Sequence, residues 1–108
     1  MTPQEFRAIA LGFPGAIESE HMDHPDFRIN GRVFATLGYP DDGWGMVKLT
    51  PAQQASFIEK TPGVFDRSNG AWGKSGSTIV RLGLAKKPLV KAALKAAFNN
   101  IAALRKKA

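Results

Sequence analysis

The sequence predicts an α+β fold: two layers, with an antiparallel sheet and the element order α-β(3–4)-α-β(2)-α. Three observations predict it. Apolar residues recur with helical period near both ends and once in the middle. Between those stretches apolar and polar residues alternate over short runs. Turn residues part these runs by too few positions for a parallel crossover. The chain has 108 residues, which suits one domain, 1–108, with one core.

The first helix is expected over residues 3–12. Thr2-Pro3-Gln4-Glu5 is a capping box with proline at the first helical position. Phe6, Ile9, Ala10 and Phe13 follow on one face, and Gly12 with Pro14-Gly15 ends the helix. A weak strand then runs from Ile17 to Met22, with a turn at Asp23-His24-Pro25. Phe27-Arg28-Ile29-Asn30 alternates as a half-buried strand does. Asn30-Gly31 is a strong hairpin signal, because both central positions of that turn need positive φ. Arg32 to Tyr39 is the return strand, Pro40-Asp41-Asp42-Gly43 a second turn, and Trp44 to Leu49 a fourth strand.

Thr50-Pro51-Ala52-Gln53 repeats the capping chemistry and opens a second helix to Lys60, expected to bury Ala55 and Ile58. Thr61-Pro62-Gly63 stops it, and Val64-Phe65 begins a short extended piece. Ser68 to Gly76 reads as a polar, glycine-rich loop, and Thr78 to Leu84 as the strand closing a second hairpin. Pro88 opens the last helix, to Arg105. At about 100° per residue, Val90, Leu94, Ala97, Phe98, Ile101 and Leu104 fall within about 120° of arc.

Composition narrows the function classes. Apolar residues are 44% and charged residues 22%, too apolar for a disordered chain. No apolar run approaches the roughly 20 residues of a membrane span, and no basic-then-apolar leader opens the sequence. There is no cysteine, so disulfides and thiolate chemistry are excluded. A cytoplasmic monomer is the expectation. Fifteen Lys and Arg stand against nine Asp and Glu, a net +6. Residues 1–83 hold eight basic residues and all nine acids, whereas residues 84–108 hold seven basic residues and none. One segment therefore carries the excess, and a field of one sign attracts polyanions.

Lys91, Lys95, Asn99 and Lys106 share one flank of the last helix, beside its apolar stripe. Such a stripe rests on phosphates or is simply a solvated face with favourable helix-dipole placement. Arg28 and Arg32 flank the Asn30-Gly31 tip, and Lys74 sits in the glycine-rich loop; a ribbon carrying arginines fits a nucleic-acid groove. Gly73-Lys74-Ser75 imitates a phosphate loop but fails: Ser68 occupies the first glycine position, and a strand follows instead of a helix. His21 and His24 are the only histidines, too few for a transition-metal set, so no metal or cofactor is expected. No nucleophile–base pair is legible, so a non-catalytic protein is expected. Trp44 and Trp72 lie between small residues, and packing on the core or sheet is expected of them before a ligand shelf.

The blocks from His24 to Leu37 and from Gly43 to Pro51 resemble the MmcQ/YjbR family of small bacterial proteins. Phe6…Ala10-Leu11…Pro14-Gly15 and Gly70-Ala71-Trp72-Gly73…Gly76…Thr78…Val80-Arg81-Leu82 extend the likeness over nearly the whole chain. The resemblance implies the same α-β(3–4)-α-β(2)-α order. It also implies a relation to a double-wing DNA-binding motif and to type III secretion chaperones. Many members carry a Ser-Tyr pair in the last helix, where this sequence reads Ala97-Phe98-Asn99-Asn100, and no catalytic residue carries over.

The expected function is a DNA-binding module of non-specific, salt-dependent affinity. Arg28, Asn30, Arg32 and Lys74 would meet the duplex, with Lys91, Lys95 and Lys106 on phosphates. The alternative is a chaperone-like protein-interaction module. A third reading, a ligand pocket near Trp44, Trp72 and His21, requires a deep cavity with converging polar groups.

Overall fold

The computed structural model describes residues 1–105, and these form the expected α+β layers. In chain order they are α1 (Pro3–Leu11), β1 (Ile17–His21), β2 (His24–Ile29), β3 (Arg32–Leu37), β4 (Trp44–Lys48), α2 (Pro51–Lys60), β5 (Phe65–Arg67), α3 (Gly70–Lys74), β6 (Ser77–Arg81) and α4 (Lys87–Arg105). A 3₁₀ turn at Leu82–Leu84 joins β6 to α4. The six strands pair antiparallel in the order β1-β2-β3-β4-β6-β5. No helix among the described residues is long and apolar enough to cross a membrane.

Both predicted capping boxes form. Thr2 and Thr50 accept from the N–H groups of Glu5 and Gln53, whose side chains accept in return from the backbone N–H of Thr2 and Thr50. The Asn30-Gly31 turn takes φ of 55° and 79°, as a two-residue hairpin loop requires. The first hairpin turns one step earlier than expected. Met22 and Asp23 adopt φ of 49° and 64°, which leaves His24 and Pro25 free to begin β2.

Register then assigns side chains to faces, because directly paired residues of antiparallel strands share a face. Phe27, Ala35, Val47 and Thr78 form one row across the sheet, and Leu37, Gly45, Val80 and Phe65 another. Helices α1 and α4 cover this side and build the core with it. The register shifts between Phe27 and Arg28, so Phe34 is an extra residue in β3. Phe34 is fully buried and meets Phe98 of α4 edge-on at 5.5 Å, while Phe13 stacks on Phe98 at 5.0 Å. From α4, Val90, Leu94 and Ala97 are buried as the periodicity predicts; Leu104, beyond the sheet contact, is exposed.

Two local expectations fail for one reason. Helix α2 buries Gln54 instead of Ala55, which is exposed, and Ile58 is only partly covered. The Gln54 amide donates to the carbonyls of Gly73 (3.0 Å) and Ser77 (2.9 Å), so a polar side chain fills the inward position. The Gly73 carbonyl belongs to the segment expected to be loop, where Gly70–Lys74 is a short helix pressed close to its neighbours, and Ser77 opens β6. A Cβ on Gly73 would lie 1.8 Å from the Ser68 carbonyl oxygen. We expect Gly73→Ala to cost about 3 kcal/mol or more in urea unfolding, through backbone overlap. Gly83→Ala, whose added Cβ meets nothing within 4 Å, is expected to stay within about 1 kcal/mol.

Candidate functional site

The second face of the sheet carries a different set of side chains. Asp26, Thr36, Met46 and Ile79 form a row across β2, β3, β4 and β6, and Lys48 pairs with Ser77 in the same alternation. A cavity of about 550 Å³ opens on this face, away from α1 and α4. Arg28, Thr36, Met46 and Lys48 line it from the strands. His21 and Met22 border it from the first hairpin, and Trp72 from α3.

Asp26 organises one wall. It is fully buried, yet it accepts from Arg28 Nε at 2.8 Å and Nη2 at 3.0 Å, and contacts His21 Nδ1 at 2.6 Å. A carboxylate only accepts, so the Nδ1–H of His21 donates to it. That bond leaves Nε2 as the other ring nitrogen, on a half-exposed imidazole. Burial alone pushes the Asp26 carboxyl up, but the hydrogen bonds and charges of Arg28 and His21 outweigh it and hold the carboxyl below its ordinary value.

Lys48 lines another part of the cavity. It stems from the central strand β4, and its Nζ lies 4.8 Å from the centroid of the Trp72 ring. Among the described residues no carboxylate lies within ion-pairing distance of it. Burial pushes its amine below the ordinary lysine value. Ser68 and Ser77, both buried, hydrogen-bond to each other at 2.9 Å beside it. Thr36 is 2% exposed, and its hydroxyl has no partner. A buried hydroxyl in that state costs about 1–3 kcal/mol.

The mouth of the cavity is apolar. Trp72 is 67% exposed and Met22 86%. Met22 also holds a positive φ, a strained state for a bulky side chain, at the tip of the hairpin. Trp72 therefore does not pack in the core as expected. Trp44 does rest on the sheet, half-buried, with the Arg81 guanidinium 4.4 Å from its ring centroid, and it does not line the cavity.

The expected contact residues fall in different places. Arg28 is on the cavity face, paired with Asp26. Asn30 and Arg32 lie at the exposed turn end of β2–β3, and Lys74 is exposed at the end of α3. Lys91 and Lys95 are exposed on α4, across the sheet from Arg28. Lys106 lies outside the described residues. No group of His, Asp or Glu among the described residues is arranged to hold a metal. The Asn100 amide donates to the Lys48 carbonyl (3.1 Å) and to Gln53 Oε1 (2.8 Å), tying α4 to β4 and α2.

Because the folded pKa of Asp26 lies below its unfolded one, its stabilisation is complete above the ordinary aspartate value. It is lost as pH falls through the lowered value. Asp26→Asn should therefore destabilise the protein by about 2 kcal/mol or more near neutrality, since it leaves Arg28 without its counter-charge. The same substitution should flatten the acid limb of stability against pH, read by urea unfolding across a pH series.

Two comparisons place this architecture. The crystal structure of Deinococcus radiodurans protein DR2400, with its DUF419 domain, matches at a TM-score of 0.74 and 17% identity, over 90% of this chain and 75% of that one. Identity that low carries the fold alone. No curated protein matches the sequence significantly. The YjbR family model matches residues 11–100, from the end of α1 through most of α4 and across every cavity residue; the chain belongs to the YjbR family.

Proposed function

We propose that this YjbR-family protein binds a small organic anion in the cavity on the sheet face opposite α1 and α4. One observation carries the reading: Arg28 and Lys48 line the cavity, Asp26 behind Arg28 offsets only one of these two charges, no carboxylate pairs with Lys48 among the described residues, and exposed Trp72 and Met22 border the opening. A carboxylate or phosphate satisfies the cations, and a planar or apolar body lies against the indole and thioether. Such a ligand also fits the general pattern of a mostly apolar pocket with a few oriented polar groups. The chaperone-like alternative would engage the same apolar rim.

Tryptophan emission gives a direct test. Benzoate, AMP and pyridoxine 5′-phosphate are titrated into the protein, with Trp72→Phe separating the signal of Trp72 from that of Trp44. At least one probe is expected to saturate the Trp72 signal, and Lys48→Gln should weaken it about tenfold or more through loss of a charge-assisted contact. No change with any probe at millimolar concentration would refute the reading.

A second reading, DNA binding, draws on another observation. Lys86, Lys87, Lys91 and Lys95 are exposed at the start of α4, and no acid occurs from residue 84 onward. Each phosphate neutralised by such a face releases counterions, so duplex affinity should fall steeply between low and moderate salt and drop further in Lys91→Glu/Lys95→Glu. A gel shift unchanged by salt or by these substitutions would sink this reading while leaving the cavity untouched.

A further inference from the structure

We propose that Lys48 Nζ is a nucleophilic amine. It condenses reversibly with the aldehyde or ketone carbonyl of an organic anion held in the cavity, an α-keto acid or an aldehyde phosphate, to form an imine. The inference rests on the anion-binding reading and adds a covalent step to it.

The placement of the amine carries the argument. Lys48 belongs to a central strand flanked by β3 and β6, so its base is rigid. Its ammonium has an indole 4.8 Å away and, among the described residues, no carboxylate partner. No ion pair stabilises the charged form; the indole face attracts it weakly, while burial disfavours it and pushes the amine below the ordinary lysine value. A larger share of neutral amine follows at neutral pH than for a solvated lysine, and neutral amine is the nucleophile. Arg28 lines the same cavity and stays charged; Asp26 fixes its Nε and Nη2, and the remaining guanidinium N–H groups give the anionic end of a ligand an anchor that does not titrate. The other cations described, such as Lys86, Lys91 and Lys95, are exposed and lack this setting.

The step balances without an outside oxidant or reductant. The nitrogen lone pair attacks the carbonyl carbon, and the amine gives up its two protons as the carbonyl oxygen departs in water. A carbon–nitrogen double bond replaces the carbon–oxygen one. Water takes up these protons, and His21, whose Nδ1 is committed to Asp26, lines the same cavity.

Pyridoxal 5′-phosphate, an aromatic aldehyde with a phosphate, is the probe. The full chain is exposed to it below stoichiometry at neutral pH, reduced with borohydride and mapped by peptide mass spectrometry. Lys48 is expected to be labelled at least about threefold faster than Lys86, Lys91 or Lys95, since it alone of these shares a cavity with an arginine that holds the phosphate next to the amine. Pyridoxine 5′-phosphate, which lacks the carbonyl, should protect Lys48. Lys48→Arg should lose the fast label while its circular dichroism spectrum is unchanged. Equal labelling of Lys48 and the exposed lysines, with pyridoxine 5′-phosphate still shifting Trp72 emission, overturns the imine step alone. Absence of both protection and the emission change overturns the anion reading and this inference with it.

Discussion

In an antiparallel sheet, paired residues point to the same side, and successive residues to opposite sides. The cavity depends on that parity. Phe27, Ala35 and Val47 face the helices, so their neighbours Asp26 or Arg28, Thr36, and Met46 or Lys48 must face away. A slip of one residue would bury the charged set under α4 and expose the phenylalanine. The extra residue at Phe34 works within this constraint. It sends another aromatic ring into the core and returns Val33 to the cavity side, opposite Arg28.

Parity also creates an electrostatic problem, which the first hairpin answers. Asp26 occupies a position with no solvent, and a bare buried carboxylate would be far too costly. Arg28 lies two residues along the same strand on the same face, and His21 is brought over by the two-residue turn at Met22-Asp23. Both turn residues hold positive φ, so the strain at Met22 and the Asp26–His21 bond belong to one device. Among the described residues Lys48 has no comparable partner; its neighbours are an indole ring and two serines occupied with each other.

The net charge and the cavity charge are separate properties of this molecule. Residues 87–105 of the acid-free segment form α4, whose described lysines are exposed on the helical layer, while Arg28 and Lys48 line the cavity on the other side of the sheet. Counting cations along the chain therefore identifies a basic helix but not the two described cations that line one open cavity. A strand residue's face depends on its partners' register, and register depends on every turn between them.

Local signals in the sequence determined what local physics controls. Thr2 and Thr50 cap helices because hydroxyl and carboxyl or amide groups three residues apart satisfy each other. Asn30-Gly31 makes a hairpin because both residues tolerate positive φ, and Val90, Leu94 and Ala97 face the core because helical geometry aligns them. The quoted blocks also carried the family likeness. What only the tertiary structure decided involves groups far apart in the chain. Gln54 outranks Ala55 as the inward residue because Gly73 and Ser77 bring carbonyls to it. Trp72 is exposed because a short helix, too brief to show a period, carries it to the cavity mouth. His21, Arg28 and Lys48 line one cavity because the pairing of separate strands brings them to one face, and periodicity within a single segment contains no information about that pairing.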